Sequence, residues 1–186
     1  MWYDEDGNIT FSKSQARDKK TGSPYPDFEI GFTNTLSYKG FSISAFFFAR
    51  VGNEMYTFYQ RYGEGDNPFF SNGTHVRMDR WQKPGDMTAQ PKPIKGNPLQ
   101  ADAWDNSRWV SNASFVRLKD LTIGYTLPDR WTQKLKMSGV TIYLKGQNIW
   151  TYHNSHNFDP EISMYGYVAG AYPLARTYTA GLKLNF

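Results

Sequence analysis

Two groups of residues in this chain have the types and spacing that chemistry would need. His153 and His156, with Asp159 close behind, are side chains of the kind that hold zinc. A metal centre requires three or four converging ligands with supported geometry, and three on one loop fall short. Asp4-x-Asp6-Gly7-Asn8 matches the opening of a calcium loop, but the bidentate glutamate due at its twelfth position is Gln15. The expectation is a surface turn and no metal site. No G-x-S-x-G or H-E-x-x-H motif occurs, and sequence alone pairs no carboxylates. No catalytic residue is assigned, no cofactor is implied, and the chain is read as a non-enzyme.

The remaining chemistry is aromatic and polar. Trp104-Asp105-Asn106 with Trp109, and Tyr165 with Tyr167, cluster in two stretches that lack regular periodicity. Sugar rings stack on aromatic faces while Asp and Asn bind hydroxyls, so these six are candidate substrate-binding residues. The competing reading is that they pack loop against loop or meet a protein partner.

Alternating segments must position those loops. Phe28, Ile30, Phe32, Leu36 and Tyr38 share one face of residues 28–38, with Glu29, Thr33, Thr35 and Ser37 on the other. Lys39-Gly40 is a tight link into 41–51, where Phe41, Ile43, Ala45, Phe47, Ala49 and Val51 alternate with Ser42, Ser44 and Arg50. A third strand is expected over 114–127. Its apolar phase slips near Lys119-Asp120, which predicts a bulge. The link Pro128 to Gly139 suggests one helical turn, and a fourth strand follows over 140–150. The last strand, 176–186, carries Tyr178, Ala180, Leu182, Leu184 and Phe186 on one face. Residues 1–27 read as a loop leading in. Residues 52–113 and 151–175 read as long loops, with a short helix expected within Glu54 to Tyr62.

Composition agrees with strands. Aromatics are 17% of residues and glycine is frequent, yet mean hydropathy is negative, as half-apolar strands require. The longest purely apolar run is Ala45 to Ala49, far short of the ~20 residues of a spanning helix. Cysteine is absent, so thiol chemistry is excluded. A net charge of +4 without a basic stripe argues against nucleic acid as a partner. Met1-Trp2-Tyr3-Asp4-Glu5-Asp6 is no signal peptide, so an exported protein would be mature or a fragment.

The links alternate short and long, as they do between the periplasmic turns and extracellular loops of outer-membrane barrels. A final strand ending on Phe186 fits a barrel-closing strand that carries the aromatic girdle. Thr33, Ser42, Ser44, Thr177, Thr179 and Lys183 would then face the lumen. Five strands cannot close a barrel, and an open edge in lipid leaves backbone groups unpaired, so the expectation is a piece of something larger.

Several segments resemble the C-terminal end of the SusC/RagA-type TonB-dependent outer-membrane transporters. Pro24-Tyr25-Pro26-Asp27-Phe28 with Gly31-Phe32-Thr33-Asn34 is similar to that family's NPDF-x-x-GFTN strand. Ser114 to Pro128, SFVRLKDLTIGYTLP, is similar to its SYLRLKNLTLGYTLP. Gly146-Gln147-Asn148, Phe158-Asp159-Pro160-Glu161, and Tyr172-Pro173 with Arg176 to Phe186 match its later elements in order. The resemblance implies an all-β fold: antiparallel strands forming the C-terminal part of a transmembrane barrel of about 22 strands, with long extracellular loops and short periplasmic turns. It also implies an importer of glycans or peptides in the outer membrane of a Gram-negative bacterium. Its partners would be a SusD-like lipoprotein, membrane lipid, and TonB, the last through a part N-terminal to this chain. Two alternatives stand beside it: a soluble β-sandwich that binds glycans, and a small barrel completed by self-association.

Overall fold

The computed structural model describes residues 2–65, 73–94, 106–155, 158–162, 165–170 and 172–186. Among these described residues, ten strands and two short α-helices run in chain order. They are β1 (Trp2–Tyr3), β2 (Ile9–Thr10), β3 (Phe28–Tyr38), β4 (Phe41–Val51), β5 (Glu54–Thr57), α1 (Phe58–Glu64), β6 (Val110–Asn112), β7 (Phe115–Thr126), α2 (Asp129–Thr132), β8 (Gly139–His153), β9 (Tyr167–Val168) and β10 (Thr177–Asn185). None of the described helices is long and apolar enough to cross a membrane, which says nothing about strands. The chain divides into two compact units that interleave in sequence.

One unit comprises Tyr25–Asn53, Asn112–Ile162 and Tyr172–Phe186. Its frame is a five-stranded antiparallel sheet in the order β10-β8-β7-β4-β3. Register aligns the apolar positions across all five strands. Leu36 faces Ile43, Ile43 faces Ile123, Ile123 faces Leu144, and Leu144 faces Ala180. Because side chains alternate along each strand, these rows build one apolar face, and Glu29, Thr33, Ser42, Ser44, Thr122, Lys145, Thr179 and Lys183 fall on the other. The apolar face is open: Phe32 is 55% and Leu182 64% exposed.

Local chemistry sets the turns and breaks. Lys39 and Gly40 both have positive φ, 45° and 87°, the pattern of a type I′ hairpin turn that matches the strand twist. Pairing of β7 with both neighbours skips Lys119, the position of the predicted phase slip. Opposite it, β8 places Asn148 in the left-handed region (φ 53°), which Asn tolerates better than most residues. The Asn148 side chain donates to the Ala175 carbonyl at 3.1 Å. Strand β8 runs to His153, past the predicted end at 150, because Trp150 and Tyr152 continue the apolar row opposite Leu118 and Val116. Strand β10 and strand β7 each stop one residue short of the predicted bounds at both ends. Gly181 pairs with Tyr143, and the tyrosine ring fills the space a Cβ would need: such an atom would lie 2.4 Å from it.

The other unit comprises Met1–Pro24, Glu54–Ser111 and Ser163–Ala171. It contains the β1-β2 hairpin and a three-stranded sheet in the order β6-β5-β9, whose β5-β9 pair is parallel. The helix expected within Glu54 to Tyr62 is displaced: Glu54–Thr57 is strand, and α1 begins at Phe58. Tyr56 and Tyr167 face each other in the parallel pair with rings stacked at 5.7 Å, a contact that favours strand there. Met55, Trp109 and Val168 are its buried apolar side chains among those described.

The Lys39-Gly40 turn gives a paired expectation. Lys39→Asn suits the left-handed conformation better and should raise stability by about 0.5–1 kcal/mol. Gly40→Ala forces a Cβ into that conformation and to 2.7 Å from the Thr126 carbonyl oxygen, and should cost about 1–3 kcal/mol. Opposite shifts of the denaturant midpoint are the readout, and shifts in the same direction would contradict the turn assignment.

Candidate functional site

The polar face of the five-stranded sheet carries a built cluster. The skipped residue in β7 lets Arg117, Lys119 and Asp120 all reach that side, as their partners show. The Arg117 guanidinium lies 2.5 Å from Asp159 and 3.2 Å from Glu161. Lys119 also pairs with Glu161, and its ammonium sits 4.9 Å from the Phe48 ring centre. Asp120 pairs with Lys145 of β8 at 2.8 Å. Phe48 and Phe115 meet at 5.9 Å, and the guanidinium of Arg50 lies 6.0 Å from each ring. Arg50 in turn pairs with Glu29 across β3 and β4 at 2.7 Å.

Arg117 is only 2% exposed. A guanidinium so far removed from water loses several kcal/mol of hydration and persists because carboxylates and aromatic faces replace it. Asp159 does more than pair. Its Oδ1 also accepts the Glu161 amide at 3.0 Å, and its Oδ2 accepts the Leu174 amide at 3.1 Å. One carboxylate thus joins both ends of the 159–174 segment to β7. Burial raises the Asp159 pKa, but the bonds from the Glu161 amide, Arg117 and the Leu174 amide outweigh it and hold the group below its ordinary value.

The other candidate residues stand as follows. Asn106 caps a 3-10 turn, its side chain accepting the Arg108 amide at 3.0 Å. Trp109 has no exposed surface, so it packs the loop unit and offers no face to a ligand. That placement corrects its reading as a substrate-binding residue: the Arg108 guanidinium lies 5.2 Å from its ring centre, and the side chain is spent on packing. Tyr165 is 87% exposed. Tyr167 has one face against Tyr56 and lies 5.7 Å from the Phe58 ring. Trp104, Asp105 and His156 lie outside the described residues. His153 Nδ1 shares a hydrogen bond with Ser155 Oγ, and Asp159 is committed to Arg117. Among the described residues no group of His, Asp and Glu could hold a metal. Asp4 accepts the amide of Asn8 at 2.7 Å and closes a surface turn.

Sequence reasoning missed a second polar cluster, within the loop unit. Glu64 Oε2 accepts from Gln60 at 3.0 Å and from Gln90 at 3.3 Å, while Gln90 Oε1 accepts from Arg108. Burial lowers the Arg108 pKa from its ordinary value, and the Glu64 carboxylate opposes that. These residues come from distant, aperiodic stretches, so no local pattern announces them.

No family model matches the chain. It is 34% identical over its whole length to the TonB-dependent receptor P3 of Formosa agariphila, covering 19% of that protein. It is 28% identical over its whole length to the TonB-dependent receptor SusC of Bacteroides thetaiotaomicron, covering 17% of it. A solved structure of the RagAB peptide importer in its open-open state matches all of the chain and 20% of the solved one, with a TM-score of 0.81 and 28% identity. Over its whole length the chain is thus similar to one segment of TonB-dependent receptors, SusC and the RagAB importer among them. It spans about a fifth of the length of the relatives it matches. Within the five-stranded sheet's unit, Asp159 and Glu161 are the point where the 159–174 segment is fastened to β7 through Arg117.

Removal of the Arg117 charge tests that fastening. Arg117→Met leaves Asp159 and Glu161 in a poorly hydrated site and should cost about 3–5 kcal/mol. Arg117→Met combined with Asp159→Asn and Glu161→Gln should cost less, since the stranded charges are gone. The depressed Asp159 pKa makes its contribution complete above the ordinary value of 3.8 and lost as pH falls through the lower folded value. Hydrogen-exchange protection of the Glu161 and Leu174 amides should therefore hold near neutrality and drop in strong acid. Protection that is flat with pH would contradict this account.

Proposed function

We propose that this chain is part of a TonB-dependent importer in the outer membrane of a Gram-negative bacterium, supplying wall and extracellular loops. The observation that carries the reading is the sheet with two opposite faces: one continuous and apolar, standing open, the other polar and charged. Such a sheet suits hydrocarbon on one side and an aqueous lumen on the other. Residues 52–113 and 151–175 are then extracellular loops, and the Lys39-Gly40 turn lies on the periplasmic side. Similarity to SusC and to the RagAB peptide importer supports uptake of a glycan or a peptide with a SusD-like lipoprotein as partner. TonB would act through a part of the receptor outside this chain. Transport, not catalysis, is the activity assigned. A soluble glycan-binding sandwich would bury the apolar face against a second layer, and the exposure of Phe32 and Leu182 speaks against that.

The test places a charge on each face of β10 in the complete receptor. Leu182→Arg should put a cation in hydrocarbon and cost about 2–4 kcal/mol near the midplane, lowering the unfolding midpoint in lipid vesicles. Thr179→Arg, on the polar face, should fold and insert normally. Equal damage from both would refute the assignment of faces, and a monodisperse, cooperatively folded protein purified without detergent would refute membrane insertion.

A further inference from the structure

The loop unit contains a cavity of about 300 Å³ lined by Glu64, Arg77, Arg80, Gln90, Pro91 and Pro93. That volume matches the lower end of small-ligand sites and suits a single side chain or sugar unit. Its walls are fixed. Gln90 is 5% exposed and links Glu64 to Arg108 behind it. The Gln90 carbonyl accepts from the Trp81 amide at 3.0 Å and from Thr88 Oγ1 at 2.8 Å, and Arg80 and Gln90 form a parallel bridge. Pro91 and Pro93 restrict their own backbone angles, which favours a preformed rim.

The cations on this wall are not equivalent. Arg77 donates to the Gly65 carbonyl, at the end of α1. Arg108 is turned to Gln90. Arg80 lines the cavity, is exposed, and among the described residues has no hydrogen-bond or ion-pair partner for its guanidinium. Glu64 is held by two amides and stays in the wall as a negative charge. Two arginines beside one carboxylate leave the lining with a surplus of one positive charge, which complements an anionic group. The planar fork of arginine matches a carboxylate through two parallel bonds. We infer that this cavity binds a carboxylate-bearing group of the imported ligand, with Arg80 as the cation that meets it. The inference rests on the import reading and narrows its substrate class to acidic ligands, either a peptide with carboxylate side chains or a glycan with uronic acid units.

The experiment measures binding to the complete receptor in detergent by titration calorimetry, using two matched pairs. One pair is a short glutamate-rich peptide and its glutamine counterpart. The other is a glucuronate-containing oligosaccharide and its glucose counterpart. In at least one pair the acidic member should bind about tenfold more tightly, the effect of one charge-assisted bond. The pair that shows the preference identifies peptide or glycan. Arg80→Gln should abolish the preference, while Arg80→Lys keeps part of it. Equal affinities within both pairs, or a preference that survives Arg80→Gln, would overturn the inference. Uptake by cells separates the two readings. A receptor that imports the neutral ligand and shows no acidic preference sinks this inference alone. One that keeps the preference and imports nothing sinks the import reading alone.

Discussion

Antiparallel pairing makes each strand show its residues alternately to two sides, and everything distinctive about this chain follows from that constraint. Over five strands, register brings apolar positions into rows on one side, so a sheet whose apolar face is exposed still has a defined orientation. A one-residue slip in any strand would send Phe or Leu among charges and a Lys or Glu into the apolar row. The interruption at Lys119 is tolerated because both neighbours of β7 accommodate it, and it delivers three successive polar contacts to one side where plain alternation would allow fewer.

That side is where a buried charge becomes affordable. Arg117 exchanges water for two carboxylates and an aromatic face, and Asp159 uses its remaining capacity on two backbone amides. Replacing the whole group by apolar residues could be neutral for stability. Its value lies in specificity of position: the two ends of the 159–174 segment are held together at one point of β7.

The long strands were legible because their signal is local. Phe41 to Val51 alternates without a break, Lys39-Gly40 marks the turn, and the phase slip at Lys119-Asp120 marks the bulge. Strand β5 was not legible, because it spans four residues and its parallel partner Tyr167–Val168 lies far along the chain. Trp109 illustrates a second limit. A tryptophan in an aperiodic polar stretch reads equally as ligand platform or as packing, and only its complete burial decides for packing. The arginine cluster around Gln90 illustrates a third, since Glu64, Arg77, Arg80 and Gln90 are joined by tertiary contacts that no spacing rule encodes.

The Gly181–Tyr143 pair carries a consequence for how such sequences diverge. A phenol ring occupies the volume that any side chain at 181 would claim, so the two positions are free to change only together. Enlarging 181 demands a smaller neighbour at 143, and shrinking 143 alone leaves a hole beside the outermost strand. Across relatives these positions should therefore covary, making this knob and notch a readable record of how β10 is aligned on β8 even where flanking residues have drifted beyond recognition.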